Sequence, residues 1–190
     1  MALPTVQNTE PLMLGSGELF IAKSKDISNL AIPTDEDLAK FVNIGAIKEN
    51  ASLSIKDEMQ DVKGANRGLI YKALKERNVT FKTGIITFNL ENLYKFIYGG
   101  DFTDDTTKKV QTFSIGNEVA GKCYLIFVHT DKETGHKLTV KIPQALFIGE
   151  QQFAWGEDAV STNYEFAALS TQINGKQKYV LFDNDYNDVV

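Results

Sequence analysis

A chain of 190 residues with 43% apolar residues, 24% charged residues, 12 Phe and 7 Tyr is not intrinsically disordered as a whole. At 21.1 kDa it is expected to be one domain that buries roughly 70% of its unfolded surface, a core that needs no staples. The net charge of −5 and pI near 5.1 exclude a protein that grips nucleic-acid phosphates, and the nearest basic stripe, residues 137–141, holds only two lysines.

Strand patterns dominate. The first strand is expected over residues 17–23 (GELFIAK), after a Gly-Ser-Gly turn. Residues 34–42 fit two readings. Thr34 with Asp37, behind Pro33, resembles a helix N-terminal cap, while Phe41, Val42 and Ile44 suit a strand equally well. Residues 51–60 alternate: Leu53, Ile55, Asp57 and Met59 point one way, and Ser52, Ser54, Lys56, Glu58 and Gln60 the other. Period-two spacing of that kind describes a sheet with one wet face. Strands follow at residues 69–74 and 79–90, with Gly84 as a bulge or bend in the second.

The best helix is residues 91–98, where Leu90, Leu93, Tyr94, Ile97 and Tyr98 share one face, Asn89 caps the start and Gly99-Gly100 ends it. Further strands are expected at residues 109–115, 122–130, 138–142, 145–153, 160–168 and 178–182. The strand at 122–130 is apolar on both faces: Cys123, Leu125 and Phe127 on one, Tyr124, Ile126 and Val128 on the other. Such a strand belongs at the centre of a sheet covered on both sides. It leads through a polar, charged tip, residues 130–137, into the alternating Leu138, Val140 and Ile142, which makes a hairpin. The extremities read as arms outside a single mainly β domain spanning 1–190: an irregular N-terminal stretch, about 1–14, and an acidic tail, about 183–190, with Asp183, Asp185 and Asp188.

Motifs for chemistry fail on inventory. The lone Cys123 allows no internal disulfide. His129 and His136 have no carboxylate or thiolate spacing around them that suits a metal. Cys123 and His129, six residues apart on one strand, lie about 20 Å apart and cannot form a dyad. Residues 116–123 (GNEVAGKC) nearly match a phosphate-binding loop, but the last position is Cys and a strand pattern follows where a helix is needed. Residues 183–188 begin like a calcium loop but lack the glycine at its sixth position. The sequons at Asn50 and Asn78 carry no weight without secretion signals. The opening residues have neither the basic nor the apolar segment of a signal peptide, and the longest apolar run, residues 123–128, is far short of a membrane span. The expectation is therefore no enzyme, no cofactor and no metal, in a chain that folds in a reducing cytosol.

The remaining positive feature is the polar stripe Ser52, Ser54, Lys56, Glu58 and Gln60. It is either plain solvent exposure or the wet side of a sheet that closes across subunits around a bore. The order of elements bears on the choice only through a resemblance. It runs from GELFIA through Phe41-Val-Asn-Ile-Gly45, the alternating Ala51-Ser-Leu-Ser-Ile-Lys-Asp-Glu58 and a charged glycine-bearing loop at 60–68. The strand and helix of residues 83–98 follow, then Tyr164-Glu-Phe-Ala-Ala-Leu169, Gly175-Lys176 and Tyr179-Val-Leu-Phe182.

Over most of its length this chain resembles the tail tube (major tail) proteins of long-tailed bacteriophages. The resemblance implies a β-sandwich or barrel-like tail-tube fold with one short flanking helix, whose long strands join an inter-subunit β-barrel. It implies a structural virion protein that self-assembles as stacked hexameric rings into a hollow tube conducting DNA during ejection. Its partners would be itself, the tape-measure protein, and tail terminator and distal tail proteins, with DNA passing without specific binding and no membrane. It would be located in the virion tail, and in the host cytoplasm during assembly. Carried over, Ser52, Ser54, Lys56, Glu58 and Gln60 become candidates for the lumen, with Lys137, Thr139 and Lys141 as a second possible stripe. Asp61, Lys63, Asn66 and Arg67, with the terminal arms, become candidates for ring-to-ring contacts. Six copies multiply the −5 of each chain, so a mainly acidic bore is expected, one that would keep DNA mobile. Two other readings stay open: the tube of a contractile tail, phage-derived bacteriocin or type VI secretion system, and a monomeric β-sandwich binding or adhesion module.

Overall fold

The structure is a computed structural model, which describes residues 17–44, 47, 51–64, 68–85, 89–131, 135–149 and 162–184. The expected N-terminal arm, Asn66, Arg67, and Asp185 and Asp188 of the tail lie outside the described residues.

The fold is mainly β, with every pairing antiparallel and the sheet open at its edges among the described residues. The strands are β1 (Gly17–Lys23), β2 (Val42–Asn43), β3 (Ser52–Gly64), β4 (Gly68–Ile85), β5 (Asp101–Asp105), β6 (Val110–Ser114), β7 (Cys123–Thr130), β8 (Lys137–Phe147), β9 (Thr162–Ala168), β10 (Thr171–Ile173), β11 (Lys176–Lys178) and β12 (Leu181–Asn184). The main sheet has the order β2-β1-β7-β8-β9-β4-β3, with β12 also paired to β8; β5-β6 and β10-β11 are separate ribbons.

β7 sits at the centre, as its two apolar faces require. Cys123 and Leu125 join the main core with Leu19, Ile21, Ile142, Val79, Phe81, Tyr164 and Phe166, and Phe127 packs against it. Tyr124 and Ile126 face a second cluster with Ala22 and Ile27, flanked by Phe41 and Val128. The rings of Phe81 on β4 and Phe127 on β7 lie 5.6 Å apart between centroids. Three strand steps in a flat sheet would separate β4 from β7 by about 14 Å. The sheet therefore curls, folding β9-β4-β3 over β1-β7-β8 to enclose the main core.

Several expected boundaries move. The strands anticipated at 69–74 and 79–90 are one strand, β4, and Gly84 pairs squarely with Asn163 instead of bulging. The strand anticipated at 138–142 is continuous with residues 145–147 as β8. Between Cys123 and Leu125 the β7–β8 register shifts by one residue, at Pro143-Gln144. A proline has no N–H for the ladder, so a bulge is where a strand accommodates one. Pro143 is fully buried and its carbonyl accepts from Ser24 Oγ at 2.9 Å. The segment at 178–182 is two pieces: Lys178 ends β11, and Leu181 opens β12. Asp183 and Asn184, expected in the acidic tail, lie in β12 beside β8.

The flanking helix is α2 (Leu90–Asn92), which continues as a wider π-turn over Leu93–Tyr98. Asn89 Oδ1 accepts from the N–H groups of Glu91 and Asn92 at 2.9 and 3.2 Å, and Gly99, at φ 73°, ends the turn. The buried face is Leu93, Phe96 and Ile97, so Phe96 enters the core while Tyr94 and Tyr98, expected on the buried face, are only half-buried. Both readings of residues 34–42 hold in part, because α1 (Asp35–Leu38) is one short turn followed directly by β2.

Thr34 and Asp37 form a reciprocal capping box. Asp37, 1% exposed, also accepts from Ser28 N–H at 3.0 Å and Ser28 Oγ at 2.7 Å, with Lys40 Nζ at 3.1 Å. The Ser28 backbone N–H, then its hydroxyl, hold the Asp37 carboxyl well below the ordinary carboxylate value of 3.8, against the opposing effect of burial. A depressed carboxyl stabilises the fold above its unfolded pKa and loses that contribution as pH falls. Thermal melts should therefore show wild type above Asp37→Asn at pH 7, with the gap shrinking steadily below pH 3.8. A gap independent of pH would remove this account.

Candidate assembly surface

β3 and β4 form one long hairpin, and its register fixes which side chains share a face. Ser52, Ser54, Lys56 and Glu58 pair with Lys82, Thr80, Asn78 and Glu76. Leu53, Ile55 and Asp57 pair with Phe81, Val79 and Arg77 on the opposite face. Between Glu58 and Met59 the register shifts, and the extra residue, Lys75, is taken up by β4. β3 therefore keeps its alternation through the bulge, and Gln60 stays with the polar stripe. All five stripe residues are together on one face, four exposed and Glu58 half-buried.

The partner strands extend this polar face. Lys75 Nζ lies 3.5 Å from Glu58, and Lys82 Nζ 2.8 Å from Glu165, which pairs with Lys82 on β9. Sequence reading singled out only β3, although the alternation Val79-Thr80-Phe81-Lys82 carried the same signal for β4. Among its described residues the face holds Lys56, Lys75 and Lys82 against Glu58, Glu76 and Glu165. It is charge-balanced, not acidic, so the net −5 is carried elsewhere on the chain.

The opposite face changes along the hairpin. At the base, Val79 and Phe81 are buried and Leu53 packs against the core. Further out, Ile55 is 53% exposed, Met59 55% and Leu74 50%. The periodicity implied that Ile55 and Met59 face the body; they have the right orientation, but the body ends before it reaches them. Between them Arg77 clamps Asp57 with two hydrogen bonds of 2.6 Å, which holds the Asp57 carboxyl below its ordinary range. Lys72 lies 3.7 Å from Asp61 nearer the tip, where Lys63 is exposed.

From Lys56 to Gly64 the strand projects about 30 Å as a two-stranded ribbon. A ribbon of that kind is marginal alone in water and gains most from a third strand or an apolar cover. Among the described residues no strand pairs with the far edge of β3. An open edge and an exposed apolar face on one projecting element mark a contact surface.

The second possible stripe is less open. Lys137, Thr139 and Lys141 pair with Thr130, Val128 and Ile126 on the face of the second cluster, and β12 covers the adjoining edge. The Lys141 side chain is 17% exposed and bonded to Asp183.

The residues considered for chemistry lie as follows. Cys123 is buried and donates to Ala145 O at 3.3 Å, and burial pushes its thiol up to about 12, far from a reactive thiolate. His129 is buried on the same strand with Nε2 unbonded among the described residues. Gly121-Lys122 leads into β7, not a helix. Among the described residues no group of three or more His, Cys, Asp or Glu could hold a metal, and no helix is long and apolar enough to cross a membrane.

No family model matches the chain, and no curated protein matches it. Among solved structures it is similar to a chain of the anti-feeding prophage (AFP) baseplate, determined by cryo-EM and 6-fold symmetrised. The match covers 97% of each chain, at a TM-score of 0.39 and 9% sequence identity.

Proposed function

We propose that this chain is a structural virion protein that assembles with itself as stacked hexameric rings, forming the hollow tail tube that conducts DNA. The observation that carries the reading is the β3–β4 arm. It has a polar face without large apolar residues from Ser52 to Gln60, an opposite face with exposed Ile55, Met59 and Leu74, and an unpaired outer edge. A free monomer gains nothing from those three features together. Joined edge to edge in a ring, the arms would place the polar face on a bore and the apolar face against neighbouring bodies.

Balanced charge suits that role. Lys56, Lys75 and Lys82 offset by Glu58, Glu76 and Glu165 give a lining that neither holds phosphates nor strongly repels them. Ser52, Ser54, Asn78 and Thr80 keep it wet. Asp61 and Lys63 near the arm's tip, with Asn66 and Arg67 between its strands in sequence, are the residues we assign to contacts between rings. The role requires no catalysis, cofactor or metal. The tape-measure, terminator and distal tail proteins remain its proposed partners.

Negative-stain electron microscopy of concentrated purified protein tests the reading. Sixfold rings or hollow tubes are the expected result; a persistent monomer at high concentration would overturn it.

A further inference from the structure

A cavity of about 330 Å³ lies where β1 ends, β7 begins and β8 bulges, lined by Lys23, Ser24, Lys25, Gly121, Lys122 and Gln144. Lys23 pairs with Cys123, and Cys123 with Ala145, so the three segments are held side by side. Ser24 fixes this pole of the sheet. Its N–H donates to Lys122 O at 3.0 Å and its Oγ to Pro143 O at 2.9 Å. Ser24 is buried, and the lysines on either side of it stand on backbone that these two bonds pin.

Three of the six lining residues are lysines and none is acidic. None of the three makes an ion pair among the described residues, whereas Lys72, Lys75 and Lys82 on the arm each have a carboxylate partner. The neighbouring Asp26 is outside the lining and offers its backbone carbonyl to Lys40. Lys122 Nζ lies 3.3 Å from Gln144 Oε1, which leaves the Gln144 NH₂ as a further donor. Ammonium groups gathered without counter-charge repel one another, and a bound anion removes that repulsion. At about 0.15 M salt the screening length is about 8 Å. The nearby lysines, and not the net −5 of the chain, therefore decide what the cavity attracts.

The lining has no aromatic or branched aliphatic side chain, so nothing in it would hold a base, a ring or an acyl chain. Its volume is at the lower end of small-molecule sites, which span about 300–1,000 Å³. We infer that the cavity binds a short phosphate chain, as an inorganic oligophosphate or as the phosphates of a nucleotide. Lysine suits this ligand because an ammonium meets phosphate as a point charge, with no fixed fork to align. Residues 116–123 fail as a phosphate loop because β7 follows them instead of a helix. Gly121 and Lys122 reach phosphate by joining Lys23 and Lys25 instead. The site stands apart from the assembly reading, since one copy holds all of it.

The test is isothermal titration calorimetry of the full chain with sodium tripolyphosphate, at about 0.15 M NaCl and without divalent metal. Saturable binding of one equivalent is expected. It should raise the melting temperature by about 5–10 °C at a hundredfold excess over Kd. Two variants, each checked by a circular-dichroism melt, probe the cavity separately. K25Q/K122Q removes two partly exposed charges and should weaken binding about tenfold or more. G121L keeps the charge and fills space: no atom lies within 4 Å of where the Gly121 Cβ would stand, and no left-handed φ demands glycine there. It should weaken binding as much. ATP and GTP should bind no more tightly than tripolyphosphate, and a thymidine octanucleotide far more weakly. No binding, or wild-type binding by either variant, would overturn the inference. So would tighter binding of one nucleotide, or octanucleotide binding as strong as that of tripolyphosphate.

Discussion

Lysine at both Ile55 and Met59 should leave a folded chain that forms neither rings nor tubes. Both side chains are more than half exposed in the single subunit, so the double change should move its melting by no more than about 0.5 kcal/mol per site. In an assembly the same positions lose water, and each unpaired ammonium buried there costs several kcal/mol. Every subunit contact repeats that cost, so the loss should be close to all-or-none. Sedimentation velocity and electron microscopy at matched concentration measure it, with circular dichroism as the control for folding. Assembly equal to wild type would show that this face is not an interface.

The second large effect is in the core. Phe81→Ala should cost about 3–5 kcal/mol, a large share of a total stability of about 5–15 kcal/mol. Phe81 is 2% exposed and its ring meets Phe127 across the curled sheet. It is also where the arm joins the body, since its strand partner is Leu53. Urea unfolding reads the cost directly. A double-mutant cycle with Phe127→Ala should return a coupling of about 0.5–1.5 kcal/mol for the ring pair. A cost below about 1 kcal/mol would mean that the sheet does not close over the core at this point.

Much of this was readable in the residues. Two apolar faces placed β7 in the centre, the Thr34–Asp37 pair marked a cap, and Asn89 with Gly99 bounded the helix. The polar stripe of β3 was legible as a face because alternation survives when a bulge falls on the partner strand. Other features depend on tertiary context. Alternation tells which residues share a face, but not how far along a strand something lies above that face. Ile55 and Met59 therefore looked like core and are open. The strands expected at 138–142 and 145–153 join over residues 137–147, because a bulge at Pro143-Gln144 lets the ladder run on. Leu93, Phe96 and Ile97 also share a face at a 3.6-residue period, and only the neighbours of the helix decide between that face and the one through Tyr94 and Tyr98. The lysine cavity joins residues from three distant segments, so no local pattern announces it.

The arm also differs from the body in when it can form. The β3–β4 ladder is complete once residue 85 has been made, from contacts within residues 52–85. The body cannot close before residue 168, because β9 pairs with both β4 and β8, and β1 waits for β7 more than 100 residues later. Local pairings form fast and long-range ones slowly. During synthesis, then, the arm we propose as the contact with other copies is finished first, while the body that carries it is still unfolded. What protects it in that interval is its own charge. The bonds of Arg77 to Asp57 and Lys72 to Asp61 put ions on the face of Ile55, Met59 and Leu74, and Lys75 to Glu58 ties the two strands together on the other face. The salt bridges of the arm act as gatekeepers against premature association.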